Sequence, residues 1–511
     1  MQQINDPKSL GMAGCQAKDT QLDAGTPQTF TARLQADAKR RAALPAAVTH
    51  EQVLADLLGQ VQPVDFRALA ELDAERDKLR TAHYVVLVVQ ELLQLALRNS
   101  WGLCQRQGFL YSYNGAYWKQ LDEPTLRAFL KKAAEQMGVP RMTARHHGFS
   151  EQLYKQFLDT AYLPVPVANS RTVVRINLLN GTFDVGSKAQ ELRLPMAEDF
   201  LTHQLPFAYD PAATAPQWQS FLNRVVPDVA SQKLLAEYIG YVFASPSQLK
   251  LEKVLLLYGT GANGKSVFFE VVNALLGPEN ISNYSLKSLT GDPAYSRAHL
   301  GTKLVNYASE LNGRLEADTF KQLVSGEPVE ARLPYGQPFI LTDYAKLIFN
   351  CNELPSEVEQ TPAFFRRFLI VPFPITIPEE EQDKTLATKL IQEELPGVFN
   401  WVLDGLKRLQ AQQRFSDCEA ARQQLDLYKL QTDSVKLFLD EFEYTASPRL
   451  YEHTAVVYSN YRQFCTDFGY RFPVSRHKFV ARMAAAGIAE ERRKTGRVLL
   501  LTQPSYLSRA A

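Results

Sequence analysis

Cysteine is scarce and scattered in this sequence. The 511-residue chain holds five, Cys15, Cys104, Cys351, Cys418 and Cys465, and none forms a C-x-x-C pair. That spacing argues against a zinc site built on a close cysteine pair and against a disulfide framework, and a reducing, cytoplasmic compartment is the simplest expectation. Long apolar runs are missing too. The most apolar stretch, Tyr84 to Leu97, contains Gln and Glu and is too short to span a bilayer, so no membrane partner is expected. The N-terminal MQQINDPKSLGMAGC has no basic region followed by an apolar core, so no secretory signal is expected. Net charge is nearly absent, at +1. Attraction to nucleic acid must therefore come from local patches. Aromatics are few before residue 50, where Ala, Gln, Asp and Thr predominate. That composition predicts a mobile or weakly helical arm.

The remaining composition, 45% hydrophobic and 22% charged, is that of a globular protein. The length predicts about three domains. From Thr49 to Leu97, apolar residues recur at helical spacing, as in Val53, Leu57 and Val61, then Leu69, Leu72 and Leu79. Hairpins are predicted around Asn114-Gly115 and Asn180-Gly181. WQSFLNRVV and LLAEYIGYVFA read as helices. Between Lys250 and about Leu409, the strands VLLLY, KLVNYAS, AKLIFN and FLIVPF alternate with helical segments, predicting a largely parallel sheet. A polar stretch, AQQRFSDCEAARQQ, follows, and the last piece has its own aromatic core.

One motif stands out. GTGANGKS, comprising Gly259, Thr260, Gly261, Ala262, Asn263, Gly264, Lys265 and Ser266, fits G-x-x-x-x-G-K-[ST]. Glycines let backbone N–H groups curl around the β- and γ-phosphates of ATP. Lys265 adds a point charge, and Ser266 can ligate Mg²⁺. The following helix points its positive end at the same anion. Kinases, GTPases, motors and helicases share such a loop, so downstream residues must decide the reaction. Glu310, after KLVNYAS, is placed to activate a water. Ser309 stands where many such ATPases have an Asp for the metal, so Mg²⁺ would rest on Ser266 and waters. Asn352, after AKLIFNC, can sense the γ-phosphate, although Asn also favours strand-end turns. Arg366 and Arg367 precede FLIVPF; one of them can reach a neighbouring subunit's γ-phosphate, with Arg367 preferred and Arg366 in reserve.

In this order and spacing the residues resemble superfamily 3 helicases of the AAA+ class, in the branch of poxvirus and phage or plasmid primase-helicases. The stretch TFKQLVSGEPVEARLPYGQPF, Thr319 to Phe339, and the upstream NGTFDV, LPFAYDP, WQSFL and EYIGYVFA match that branch in order. The resemblance implies a multidomain α/β fold. It would have a polar then helical region at 1–97, a mixed α/β domain at 98–245, an AAA+ P-loop ATPase core at 246–425 and a winged helix at 430–511. It implies a channel hairpin gripping DNA through Lys321, Arg332 and Tyr335, a hexameric ring on single-stranded or forked DNA, and 3′ to 5′ movement in phage or plasmid replication in a bacterial host. A separate primase or polymerase is an implied partner. The hairpin tip carries fewer basic residues than such a grip suggests. The residues before 100 show no zinc ribbon or acidic cluster, so helicase activity without primase activity is expected.

The C-terminal piece reads as helices at Val456–Phe468 and Ser475–Gly487, then two strands joined at Thr495-Gly496. Phe479, Met483 and Ala486 mark the apolar side of the second helix. Lys478 and Arg482 share another face, and Arg492, Arg493, Lys494 and Arg497 cluster at the strand turn. A basic helix and wing suit DNA contact, and equally a protein-docking module. His146-His147 reads as a surface pair, and the aromatics of YSYNGAYW as sheet core. Two other functions fit the same residues: an ATP-dependent initiator or loader that unwinds little, and a small-molecule kinase.

Overall fold

In the computed structural model, Thr49 opens the first described helix, His50–Gln60. Its Oγ1 accepts from the Gln52 N–H, and the Gln52 side-chain oxygen accepts from the Thr49 N–H, a reciprocal capping box. The structure describes residues 48–502, apart from residues 74, 75, 107, 164–172, 187–189, 293, 310–315, 335, 356, 357, 469, 471 and 472. The expectation for residues 1–47 lies outside this range.

Helices His50–Gln60, Thr81–Arg98, Glu123–Met137 and His147–Thr160 pack on one face of the antiparallel strands β1 (Gly102–Arg106), β2 (Phe109–Tyr113) and β3 (Trp118–Leu121). One core, from Val53 to Ala161, includes Val88, Leu92, Leu103, Leu126 and Phe157 and crosses residue 97. The predicted Asn114-Gly115 turn joins β2 to β3, with Asn114 Oδ1 accepting from the N–H groups of Ala116 and Tyr117. A second antiparallel sheet follows: β4 (Val174–Leu178), β5 (Gly181–Val185) and β6 (Gln190–Arg193). Gly181, at φ +141°, enters β5 where a Cβ would lie 2.4 Å from the Arg193 carbonyl oxygen. Only glycine fits there.

Helices Pro216–Val225 and Val229–Tyr241 lead to the central sheet. Its strands are β7 (Val254–Tyr258), β8 (Ile281–Ser282) and β9 (Val305–Ala308). The antiparallel hairpin β10 (Val329–Arg332) and β11 (Pro338–Leu341) intervenes before β12 (Lys346–Cys351) and β13 (Phe368–Pro372). The spatial order is β13-β7-β12-β9-β8, with every pair parallel. The chain is thus a multidomain α/β protein with a parallel sheet. Val254 to Leu257 are fully buried, as a strand covered on both faces requires.

The polar stretch after residue 410 hides a core element. Helix Glu419–Thr432 sends Tyr428 into the central core, and its hydroxyl donates to the Pro355 carbonyl at 2.9 Å.

The C-terminal part packs helices Ser434–Glu441, Thr454–Asp467 and Arg476–Ala485 against β14 (Glu452–His453), β15 (Glu490–Arg493) and β16 (Gly496–Leu499). Phe438, Tyr461, Phe464, Phe479 and Met483 form its core. The expected apolar side is corrected at one position. The last helix ends at Ala485, so Ala486 caps it in solvent; Gly487, at φ +86°, then turns the chain so that Ile488 is buried instead.

Candidate nucleotide site

The loop Gly259–Ser266 joins the end of β7 to helix Lys265–Leu276. Gly261, Ala262 and Gly264 have φ of +117°, +47° and +85°. A Cβ on Gly259 would meet Asn263 Nδ2 at 2.0 Å, and one on Gly264 would meet Val225 Cγ1 at 2.7 Å. The loop is braced from both neighbouring strands. The Gly259 N–H donates to Cys351 O at the end of β12 (3.1 Å), and Asn263 Nδ2 donates to Phe373 O just past β13 (3.2 Å). The Ile377 N–H also donates to Ala262 O, at 2.7 Å.

Lys265 is buried and folds over this frame, its Nζ donating to Gly259 O (2.6 Å) and Asn263 Oδ1 (3.0 Å). Burial lowers its pKa, against a smaller opposing effect of Cys351. Among the described residues, the backbone N–H groups from Thr260 to Ser266 find no acceptor. They lead into the start of helix Lys265–Leu276, where the backbone carries positive partial charge. Ser266 lies exposed in the first helical turn. This donor set fits a triphosphate with its Mg²⁺: backbone N–H groups and Lys265 would hold phosphate oxygens, and the Ser266 hydroxyl would meet the metal.

Asn352 is exposed immediately after Cys351, whose carbonyl holds Gly259, so it stands beside the loop. One residue earlier, Asn350 faces inward and accepts from the Tyr307 hydroxyl at 3.0 Å. Ser309 is exposed at the end of β9, one strand further away. Glu310 lies outside the described residues.

The two arginines sit at the other end of the sheet. The Val254 N–H donates to Arg367 O, so the pair precedes the start of β13, while the glycine-rich loop leaves the far end of β7. Four strand steps separate these ends, roughly 13 Å. The side chains diverge. Arg367 is buried, with Nε and Nη2 donating to Ser325 Oγ (3.2 and 2.9 Å) and Nη1 to Ala363 O. Arg366 is 56% exposed and pairs with Glu252 at 2.6 Å. The sequence preference for Arg367 as the outward group therefore meets an inward-facing guanidinium.

The expected DNA contacts are dispersed. Lys321 is held by Asp318 (2.8 Å) and Glu359 (3.0 Å). Arg332, exposed at the end of β10, donates to Gly336 O at 2.9 Å, and Tyr335 lies outside the described residues. In the C-terminal part, Arg482 pairs with Asp433 (3.2 Å), Arg497 with Glu490 (2.9 Å) and Arg493 with Glu491 (3.4 Å). Lys478, Arg492 and Lys494 are exposed without an acidic partner among the described residues.

Sequence reasoning missed three groups that fix the hairpin. Buried Arg297 donates to Glu330 O in β10 (2.8 Å), and the Tyr344 hydroxyl lies 3.1 Å from Gln322 O and 2.8 Å from Glu327 O. Phe109 meets Phe339 of β11 edge-on, 5.6 Å between centroids. No local signal marks any of them, because each contact spans distant sequence.

Two family models match parts of the chain. "D5 N terminal like" covers residues 90–227, and "Family of unknown function (DUF5906)" covers residues 257–367, from the end of β7 to Arg367. Among curated relatives, "Putative helicase L207/L206" of Acanthamoeba polyphaga mimivirus is 23% identical over 237 residues, 44% of this chain and 24% of that protein. "Putative helicase 184R" of Invertebrate iridescent virus 6 is 25% identical over 268 residues, 45% of this chain and 26% of that protein. The chain thus spans about a quarter of the length of these relatives. The apo structure of the NrS-1 C terminal region (305-718) superposes with a TM-score of 0.44 at 11% identity, covering 82% of this chain and 99% of that one. Among the described residues, no helix is long and apolar enough to cross a membrane.

Proposed function

We propose that the chain is an ATP-driven DNA helicase of superfamily 3, with an AAA+ core, a C-terminal winged helix and a role in phage or plasmid replication. The observation that carries this reading is the opposition of two half-sites on one sheet. The braced loop and Asn352 stand at one end, and exposed Arg366 stands at the other. A single subunit cannot join them; a ring in which each Arg366 meets a neighbour's γ-phosphate does. The helicase names of the viral relatives support the reading, as does the D5-like segment. ATP bound at the loop supplies a phosphoryl group for transfer to water. Glu310 activates that water, Asn352 senses the γ-phosphate, and Arg366 stabilises charge developing in the transition state. The working form is a hexamer moving 3′ to 5′.

A second reading has an observation in its favour. Lys321 and Arg332 are both engaged within the protein, whereas Lys478, Arg492 and Lys494 have no acidic partner among the described residues. A weak channel contact beside a strong C-terminal one suits an ATP-dependent initiator or loader.

ATP hydrolysis and strand displacement on forked DNA test both. Wild type, Lys265→Ala, Arg366→Ala and an equal mixture of the two variants are compared. The motor reading expects unwinding by wild type, failure of each variant and partial recovery of hydrolysis in the mixture. Hydrolysis that DNA does not stimulate, with no strand displaced, would sink it.

A further inference from the structure

A cavity of about 720 Å³ lies between the β1–β3 sheet, β4, the segment following β6 and the second hairpin strand, β11. It is distinct from the phosphate loop, none of whose residues line it. Lys346 at the start of β12 forms part of its wall, while Asn352 follows the other end of that strand, on the order of 20 Å away.

The charges around it are unbalanced. Arg106, Arg175, Lys303 and Lys346 line the cavity, against the carboxylates of Asp199 and Asp343. Arg175 and Asp199 are already spent: they lie 3.3 Å apart, and Arg193 reaches Asp199 at 2.7 Å and Asp184 at 3.1 Å. Arg106 has no carboxylate among the described residues. Its guanidinium lies 3.9 Å above the Phe200 ring centroid, and its Nη1 is buried without a hydrogen-bond partner. A cavity-lining guanidinium that carries an unpartnered nitrogen gains from an acceptor that can reach it. Lys346 holds its ammonium 4.5 Å from the Tyr241 ring centroid. Burial brings its pKa down to about 8, although Asp343 acts in the opposite sense. Both groups would gain from an anion.

We propose that this cavity binds a phosphate-bearing ligand of nucleotide size, with Arg106 as its main phosphate contact. The volume falls in the range of small-molecule sites. The phosphate has two sources, a free nucleotide or one unit of a single strand. Because Phe339, Ile340 and Leu341 of β11 form part of the wall, an occupant touches the hairpin and the N-terminal sheet together. The proposal does not depend on the motor reading.

The test uses the full chain carrying Lys265→Ala, which silences the phosphate loop. Binding of dTMP and of a ten-residue oligo-dT is measured by calorimetry, with and without Arg106→Gln. At least one probe is expected to bind, and Arg106→Gln to weaken it tenfold or more. Binding of dTMP identifies the free nucleotide, and binding of the oligonucleotide alone identifies the strand. Failure of both probes, or equal affinity with and without Arg106→Gln, would overturn the site. Arg106→Lys guards against a folding artefact: it should retain most of the binding, and a loss as large as that of Arg106→Gln also counts against the proposal.

Discussion

Arg367 and Ser325 are locked together: two nitrogens of the buried guanidinium donate to one hydroxyl, at 3.2 and 2.9 Å. Ser325 ends helix Ala317–Ser325, and Gly326, at φ +64°, then turns the chain toward the β10–β11 hairpin. The residue beside the outward arginine is thus a strut beneath the hairpin. Arg367→Ala leaves the Ser325 hydroxyl and Ala363 carbonyl without this donor and should destabilise the protein by about 1–3 kcal/mol. Arg366→Ala removes an exposed guanidinium from the largely buried Glu252, which keeps Lys250 at 3.6 Å, so it should cost less than Arg367→Ala, about 1 kcal/mol, yet should abolish DNA-stimulated hydrolysis. Thermal melts and ATPase assays on both variants check this. If Arg367→Ala melts like wild type but loses hydrolysis, and Arg366→Ala keeps it, the roles are reversed.

His203 supplies a pH prediction. Its ring lies 3.0 Å from Thr202 Oγ1 through Nδ1 and 3.1 Å from Thr302 O through Nε2. A neutral ring satisfies both, with Nε2–H donating to the carbonyl and the Thr202 hydroxyl donating to Nδ1. Burial brings its pKa down to about 4, outweighing the Thr302 hydrogen bond. Between the ordinary value near 6.5 and 4, the unfolded chain takes up a proton that the folded one refuses. Stability from this group is therefore present above about pH 6.5 and lost as pH falls toward 4. His203→Gln should flatten that part of the acid limb in urea titrations run from pH 7 to 4. An unchanged difference between wild type and variant across this window would refute the assignment.

Much of the fold was legible because its signals are local. Gly115 and Gly181 have positive φ where Asn-Gly pairs predicted hairpins, and VLLLY reads as a buried strand because both faces of β7 are covered. The glycine-rich loop after β7 was legible for the same reason: a Cβ would clash at Gly259 and Gly264, and Gly261 holds a φ of +117°. What stayed hidden depends on distant partners. Nothing around Tyr428 in LDLYKL signals that its hydroxyl meets Pro355, and adjacent Arg366 and Arg367 look equivalent until Glu252 claims one and Ser325 the other.

Glu237 should be among the most costly positions to change. Fully buried in helix Val229–Tyr241, it accepts from Arg408 Nε (2.5 Å), the Ser416 N–H (2.8 Å) and the Ser416 hydroxyl (2.6 Å). These bonds pin helix Leu395–Gln412 and the chain after it to the helix that leads into β7. Arg408→Ala would leave a buried carboxylate without its countercharge, at an expected cost of about 3–5 kcal/mol. Glu237→Gln should cost less, since the amide keeps an acceptor. Chemical denaturation ranks the two, and the reverse order would show that the charge pair is not what holds these helices.

The free cations of the C-terminal part carry the last prediction. Lys478, Arg492 and Lys494 have no acidic partner among the described residues, whereas Arg482 is tied to Asp433 between helices. If the first three contact DNA phosphates, replacing them together by Gln lowers affinity on every sequence and flattens the plot of log affinity against log salt by about three units of slope. Folding should be unaffected, because exposed side chains contribute little to it. Arg482→Ala should do the opposite: it loosens the packing of helix Arg476–Ala485 on the preceding segment and lowers the melting temperature, with a slope change of about one at most. Filter binding from 50 to 300 mM salt separates the two effects. A triple variant that binds with the wild-type slope would make this surface a protein-docking face and return DNA contact to the hairpin.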